Sequence, residues 1–363
     1  MKTILASVST LALAISIGTA AAQQRTVNVY NWSDYIDEQV LKDFEKETGI
    51  KVVYDVFDSN EVLETKLLAG GTGYDVVVPS GTFLARQIQA GVFQPLDKDK
   101  LPNLKNMWGD VTARTEAYDP GAKYSINYMW GTTGIGYNVK AAAERLGEGK
   151  VPSWATIFDP AELAKFKDCG VHMLDAPAEM IPAALNYLGK DPDSKNPDEI
   201  AEAAALLEKT KENVQKYHSS EYINALANGD ICLAVGWSGD VFQARDRASE
   251  AKAGVEVGYV IPEEGALMWF DQMAIPADAK NVEEAHEFLN YIMKPEAIAK
   301  ASNYVYYANG NEASQPMLEK DITGDPAIYP DAETAKKLYV TTPYDPAIQR
   351  RVTRAWTKVK TGQ

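Results

Sequence analysis

Residues 26–30 alternate apolar and polar side chains as a strand does, and residues 37–48 carry apolar positions at helical spacing. The alternation continues to about residue 96, with strands expected over 51–56 and 75–79 and helices over 61–69 and 83–90. Gly49, Gly70-Gly71 and Gly91 stand where these helices should stop. Strand and helix in turn predict an α/β fold with a mostly parallel sheet covered on both faces.

Residues 97–125 carry weaker signals, with Pro102 and Pro120 among scattered polar positions, and read as a loop-rich excursion. Residues 128–138 follow, where Gly131, Gly134 and Gly136 break both periodicities. They read as a bent extended segment on which the chain crosses from one lobe to another, with Trp130 and Tyr137 filling the crossing. A second block then alternates: helices over 160–167, 178–188, 198–214, 221–228 and 240–252, and strands over 170–174, 231–236 and 255–261. A strand over 270–275 would carry the chain back, before helices over 282–293 and 347–360. A chain of this length exceeds one small core. The expected division is residues 23–133 plus 272–306 in a first lobe, and 134–271 plus 307–363 in a second.

Composition changes the picture in three places. The first 22 residues have a charged start, an apolar stretch from Ile4 to Ile17 and a small-residue exit, Thr19-Ala20-Ala21-Ala22, which together read as a secretory signal cut after Ala22. The formal charge is −15, and loss of Lys2 with the signal makes it one unit more negative. Such acidity argues against nucleic acid and anionic membranes as partners and permits a cationic ligand. The only cysteines are Cys169 and Cys232, and an even count in an exported chain invites a disulfide.

Catalytic and metal motifs fail on inspection. Gly236-Trp237-Ser238-Gly239-Asp240 has Asp240 where a nucleophile elbow needs glycine, and 191–196 has Lys195 and Asn196 where a calcium loop needs an acid and a glycine. No phosphate-binding loop or His-Glu-x-x-His stretch is present, and no cofactor or resident metal is expected.

What remains is a mixture of aromatic, hydroxyl and carboxylate residues at successive strand ends. Trp32-Ser33-Asp34-Tyr35 ends the first strand, Ser80 the third, and Asp175 to Glu179 follow the strand after Cys169. Trp237-Ser238-Gly239-Asp240 follows the strand with Cys232, and Trp269-Phe270-Asp271 opens the return strand. Singly each reads as a cap or a core residue; Ser33 or Asp34, for example, would cap the first helix. Together they gather acids and indoles on the sheet edge where α/β proteins bind ligands. An alkyl diamine suits such a cleft, because carboxylates bond its ammonium ends while indole faces cover its methylenes and add cation–π attraction.

At these residues the chain resembles the periplasmic polyamine-binding proteins, the receptors of putrescine and spermidine uptake transporters, most closely the putrescine-binding branch. The resemblance rests on residues 29–35, on Thr48-Gly49-Ile50-Lys51-Val52, on 73–80, on 130–138 and on Trp237-Ser238-Gly239-Asp240. It implies a two-lobed type II periplasmic binding fold, each lobe a mixed sheet flanked by helices, closing on ligand by a hinge. It implies an aromatic box of Trp32, Trp237 and Trp269, main carboxylates Asp34, Asp240 and Asp271, and Glu179 at one ammonium end. Ser33, Tyr35, Ser80 and Tyr307 would complete the lining, and the family pattern pairs Cys169 with Cys232. A monomeric periplasmic receptor that docks transiently on an ABC permease follows. One departure bears on the ligand: putrescine-type members carry Phe at the position of Trp269, while spermidine-type sites use Trp. Two other readings stand beside this one, a ferric-ion receptor of the same fold through Tyr306-Tyr307 and a secreted hydrolase using Asp and Glu pairs.

Overall fold

The computed structural model describes residues 24–147, 149 and 151–362, so the expected export signal lies outside the described residues. The strands are β1 (Thr26–Trp32), β2 (Lys51–Phe57), β3 (Val76–Val77), β4 (Ser125–Asn138), β5 (Val171–Met173), β6 (Lys216–Tyr217), β7 (Leu233–Trp237), β8 (Val257–Val260), β9 (Ala266–Ala274), β10 (Ala308–Asn309) and β11 (Leu338–Tyr339). They hydrogen-bond in the order β2-β1-β3-β9-β4-β7-β5-β6. β1 is parallel to β2 and β3, and β5 is parallel to β6 and β7. The expected parallel sheets are present, each joined to an antiparallel pair through β4.

β4 is the hinge of this topology. Its residues Ser125–Thr132 pair with β9, and from Thr133 onward it pairs instead with β7 and β8. Glycine lets other groups press close to it, since a Cβ on Gly131 would meet the Trp269 ring at 2.8 Å and one on Gly134 the Val260 carbonyl at 2.4 Å.

Burial follows the same division. One core cluster gathers Val27, Phe44, Val77, Leu84, Phe288 and Ile298 around the first half of the sheet. A second holds Trp154, Phe158, Met180, Leu207, Val235 and Trp356 around the other. The carboxyl-terminal helix, Pro346–Thr361, packs Ile348, Val352, Trp356 and Val359 into the second cluster. A third, smaller cluster around Trp130, Phe242, Phe270 and Ile328 covers the junction.

Several boundaries differ from the sequence reading. The first helix runs Glu38–Thr48 and its cap is Asp37, whose carboxylate accepts the Gln39 N–H at 2.8 Å; neither Ser33 nor Asp34 caps it. The strand-like pattern over 75–79 forms only the two-residue β3. The helices Val139–Leu146 and Pro295–Val305 escaped the sequence reading, although Asn138 and Pro295 are both sound helix-start residues. Residues 97–125 hold a short helix, Gly109–Thr115, among turns. Among the described residues no helix is long and apolar enough to cross a membrane.

Cys169 and Cys232 form a disulfide with Cα atoms 5.7 Å apart, tying the turn before β5 to the start of β7 across 63 positions of sequence. Closing a loop of that length stabilises by about 4 kcal/mol on the chain-entropy account. Replacing both cysteines by serine should lower the thermal midpoint by on the order of 10 °C for a cooperative unit of this size. Scanning calorimetry under non-reducing conditions measures it, and an unchanged midpoint would mean the bridge contributes nothing.

Candidate functional site

Where the two halves of the sheet face each other, a cavity opens among the carboxyl ends of β1, β3, β5 and β7 and the flank of β9. Three carboxylates line it. Asp271 comes from β9, Glu179 from the first turn of the helix Pro177–Tyr187, and Asp240 from the first turn of the helix Ser238–Glu250. Acids in a first turn face the positive helix end, which eases their burial.

Each acid is held by hydroxyl donors. Asp271 accepts from Ser80 Oγ at 2.6 Å and from the Tyr35 phenol at 2.9 Å. Ser80 begins the helix Gly81–Gln89 but makes no capping bond; Asn60 holds it from both sides, accepting the Ser80 N–H at 3.0 Å and donating to its Oγ at 2.9 Å. Asp240 accepts one phenol from Tyr307 and another from Tyr222, each at 2.7 Å. Glu179 accepts a short hydrogen bond from Thr133, the residue at which β4 changes partners.

Asp271, Asp240 and Glu179 are 4%, 6% and 8% exposed, and no cation pairs with any of them among the described residues. Burial is the leading cause that pushes all three carboxyls up to about 7, and the donated hydroxyls offset only part of it. The same burial, with acids alongside, drives the Tyr35 and Tyr307 phenols well above their ordinary range, so both remain donors.

Aromatic rings close the remaining walls. Trp32 donates its indole N–H to Val78 O at 2.9 Å and meets Trp237 edge to face at 5.4 Å. Trp237 packs against both main clusters, so the two halves of the molecule share it. Tyr307 stands edge to face with Tyr35 at 5.2 Å and with Trp269 at 5.3 Å. The Trp269 indole N–H is buried without an acceptor among the described residues.

Ten of the eleven residues singled out from sequence line this one cavity, Ser33 among them. Asp34 is the exception. Its backbone is left-handed, with φ 55°, and its carboxylate turns out of the cavity to bond Arg247 at 2.5 Å, while Gln243 donates to its carbonyl. Arg247 also reaches Asn224 at 2.8 Å, so the expected third main carboxylate is instead half of a surface ion pair. Asp175 likewise faces away, accepting from Trp356 and Lys360. Sequence reasoning missed Tyr222, Thr133 and Asn60, the partners that position the site, because nothing local marks them. The tandem tyrosines diverge: Tyr306 donates to Asp246, whereas Tyr307 donates to Asp240. Among the described residues no group of three or more His, Cys, Asp or Glu is placed to hold a metal ion.

Residues 39–330 match the family of bacterial extracellular solute-binding proteins. The chain belongs to that family. This solute-binding protein is 54% identical over 353 residues to the putrescine-binding periplasmic protein PotF of Escherichia coli (strain K12), covering 97% of this chain and 95% of that one. It is 52% identical to the putrescine-binding periplasmic protein SpuD of Pseudomonas aeruginosa (strain UCBPP-PA14), over 100% of this chain and 98% of the relative. Among solved structures it superposes on a putative spermidine/putrescine ABC transporter from Listeria monocytogenes with TM-score 0.83 and 34% identity, over 93% of this chain and all of that one. The fold is the two-lobed type II periplasmic binding fold, with the acid-lined cavity in the cleft between lobes.

Proposed function

We propose that this chain is a periplasmic receptor that binds a polyamine, putrescine before spermidine, and hands it to an ABC-type uptake permease without chemical change. One observation carries the reading: three buried acids that no cation pairs with among the described residues line one cavity together with three indole rings. An uncompensated acid is costly to bury, and a protonated diamine removes that cost at both of its ends. The indoles of Trp32, Trp237 and Trp269 suit the methylenes between, each stacked ring contributing about 0.5–2 kcal/mol in a desolvated site. Calorimetry with putrescine, spermidine, cadaverine and spermine tests it, and absence of heat or competition from all four would overturn it. A ferric-ion receptor is disfavoured by the divergence of Tyr306 and Tyr307, and a hydrolase by the spending of each acid on hydroxyl donors.

The lobes on this reading meet where β4 changes partners between Thr132 and Thr133. Leu267, Trp269 and Tyr307 pack in the first cluster, so we assign all of β9 and Tyr307 to the first lobe, a wider share than the sequence pattern suggested. The acids then divide, Asp271 on the first lobe and Asp240 and Glu179 on the second, and closure brings them together.

The raised acids set a pH dependence. In the empty closed cavity they are neutral below their ordinary range and become charged as pH rises through about 7, so the empty closed form loses stability over that interval. A dication favours the charged forms and lowers all three acids. Affinity for putrescine should therefore rise with pH up to about 7 and level off above it, with protons released on binding below that point. Titration at pH 6 in two buffers of different ionisation heat counts those protons; none released would mean the acids are already charged in the free protein.

A further inference from the structure

Behind Asp271 lies a second hollow, of about 510 Å³, within the size range of small-molecule sites. The excursion after residue 97, with its short helix Gly109–Thr115, walls one side, and the paired strands β4 and β9 supply Ser125, Ile126, Asn127 and Gln272. Alternation along β9 explains the placement. Asp271 turns to the cleft, and Gln272, the next residue, turns to the other side of the sheet. All of this lining belongs to the first lobe by our division, so the hollow does not depend on closure.

The polar part of the lining is not satisfied by the protein. Gln272 is 2% exposed, and its amide nitrogen finds no acceptor among the described residues. Asn127 stands directly opposite it in the register of β4 and β9. Its Nδ2 donates to the Asp271 carbonyl at 3.2 Å and to the Met129 carbonyl at 3.4 Å, which fixes the amide's orientation. Asn127 Oδ1 is thereby left buried without a donor. Directly opposed residues of an antiparallel pair lie close enough for one small molecule to meet both.

The charged residues of the lining are engaged on the turn that closes the excursion. Asp119 accepts the backbone N–H groups of Lys123, Tyr124 and Ser125 and the Ser125 hydroxyl, at 2.8–3.1 Å. Lys98 donates to the Gly121 carbonyl at 2.7 Å, and Glu116 accepts the Gly121 N–H at 3.1 Å. The hollow therefore offers an amide donor and an amide acceptor, set against the apolar Leu104, Met107, Ala122 and Ile126.

We propose that this hollow is a second ligand site, which takes a small uncharged molecule joining a carboxamide to an apolar body. The ligand oxygen accepts from Gln272 Nε2, which a turn of the weakly restrained terminal torsion of the glutamine brings to the surface of the hollow. The ligand N–H2 donates to Asn127 Oδ1. Buried amide groups without partners are costly, and one carboxamide removes that cost at both residues. The inference does not rest on the polyamine reading. Asp119 has its donors already, and the two sites lie on opposite sides of β9.

Ligand-observed NMR titration of benzamide on the full-length mature protein is the test. Wild type should bind benzamide, and saturating putrescine should change that affinity less than twofold. Benzoate, of the same shape but charged, should bind about tenfold more weakly. Gln272→Met keeps the length and removes the amide, and should lower benzamide affinity about tenfold, the usual effect of leaving a hydrogen-bond partner unmade. Ala113→Trp sets an indole into the wall of the hollow and should abolish benzamide binding. Its putrescine affinity should stay within a factor of two of wild type, which shows that it is folded. No binding of benzamide to wild type, displacement by putrescine, or undiminished affinity in Gln272→Met would overturn the site, and equal affinity for benzoate would overturn its preference for an uncharged ligand. None of these results touches the polyamine reading, which stands or falls on the polyamine calorimetry.

Discussion

Asp271→Ala is expected to weaken putrescine binding by roughly a hundredfold to a thousandfold or more, about 3–5 kcal/mol, the scale for removing one partner of a buried ion pair. The size follows from how completely the site is built around this carboxylate. β9 carries it into the cleft at 4% exposure, and its neighbours spend their hydroxyls on it, Ser80 from the start of one helix and Tyr35 from the turn after β1. Tyr35 is braced in its turn by Tyr128, whose phenol donates to its carbonyl at 2.7 Å. A ligand ammonium would be drawn out of water into this shell, and without the acid it would have hydroxyl oxygens but no countercharge. Asp271→Asn separates charge from shape, since the amide still accepts the Ser80 hydroxyl. It should bind nearly as weakly as the alanine variant. Without ligand the asparagine variant should melt no earlier than wild type, because it relieves the cost of a carboxyl that burial raises to about 7 while its amide oxygen can still accept from Ser80. Calorimetry and a thermal melt measure the two effects, and wild-type affinity in the asparagine variant would show that the charge is not what the site uses.

Gly239→Ala should cost roughly 10- to 100-fold in affinity, 1–3 kcal/mol of overpacking, by a different route. Gly239 lies in the first turn of the helix Ser238–Glu250, which packs Val241 and Ala244 into the second lobe's core. A Cβ there would fall 2.5 Å from the Tyr307 ring and 2.6 Å from the Val305 carbonyl, both on the first lobe by our division. Neither can yield. Val305 O is backbone at a helix end, and the Tyr307 ring is held by Asp240 and wedged between Tyr35 and Trp269. The clash exists only when the lobes are together, so each lobe should fold normally and the ligand-free melting temperature should be unchanged. Small-angle scattering would show wild type contracting on addition of putrescine and the variant contracting less. Full contraction with wild-type affinity would mean that Gly239 is not a closure contact.

Both variants illustrate how much of the site could be read along the chain. Trp32, Ser80, Glu179, Trp237, Asp240 and Asp271 stand out because α/β topology delivers strand ends to one edge, and aromatic and acidic residues at those ends are visible as a pattern. Tyr222, Thr133 and Asn60 were illegible, because each acts on a partner set by tertiary contact: Tyr222 on Asp240, Thr133 on Glu179, and Asn60 on Ser80. Asp34 shows the converse. Its place between Ser33 and Tyr35 made it the natural carboxylate of the turn, yet one residue in left-handed conformation is enough to point it at Arg247 instead. The helix Pro295–Val305 was missed, although its starting proline is a local signal.

The order of strands and helices, the crossing at the glycines of β4, the pairing of the only two cysteines and the gathering of acids with indoles were determined by the sequence itself. Periodicity, chain breakers and residue chemistry are local quantities, and they survive without coordinates. Which acids line the cavity and which one turns outward were decided only by the tertiary structure. Those outcomes depend on desolvation and on the aim of single side chains across two lobes, and in this chain the groups that set them are separated by up to 236 positions, as Tyr35 and Asp271 are.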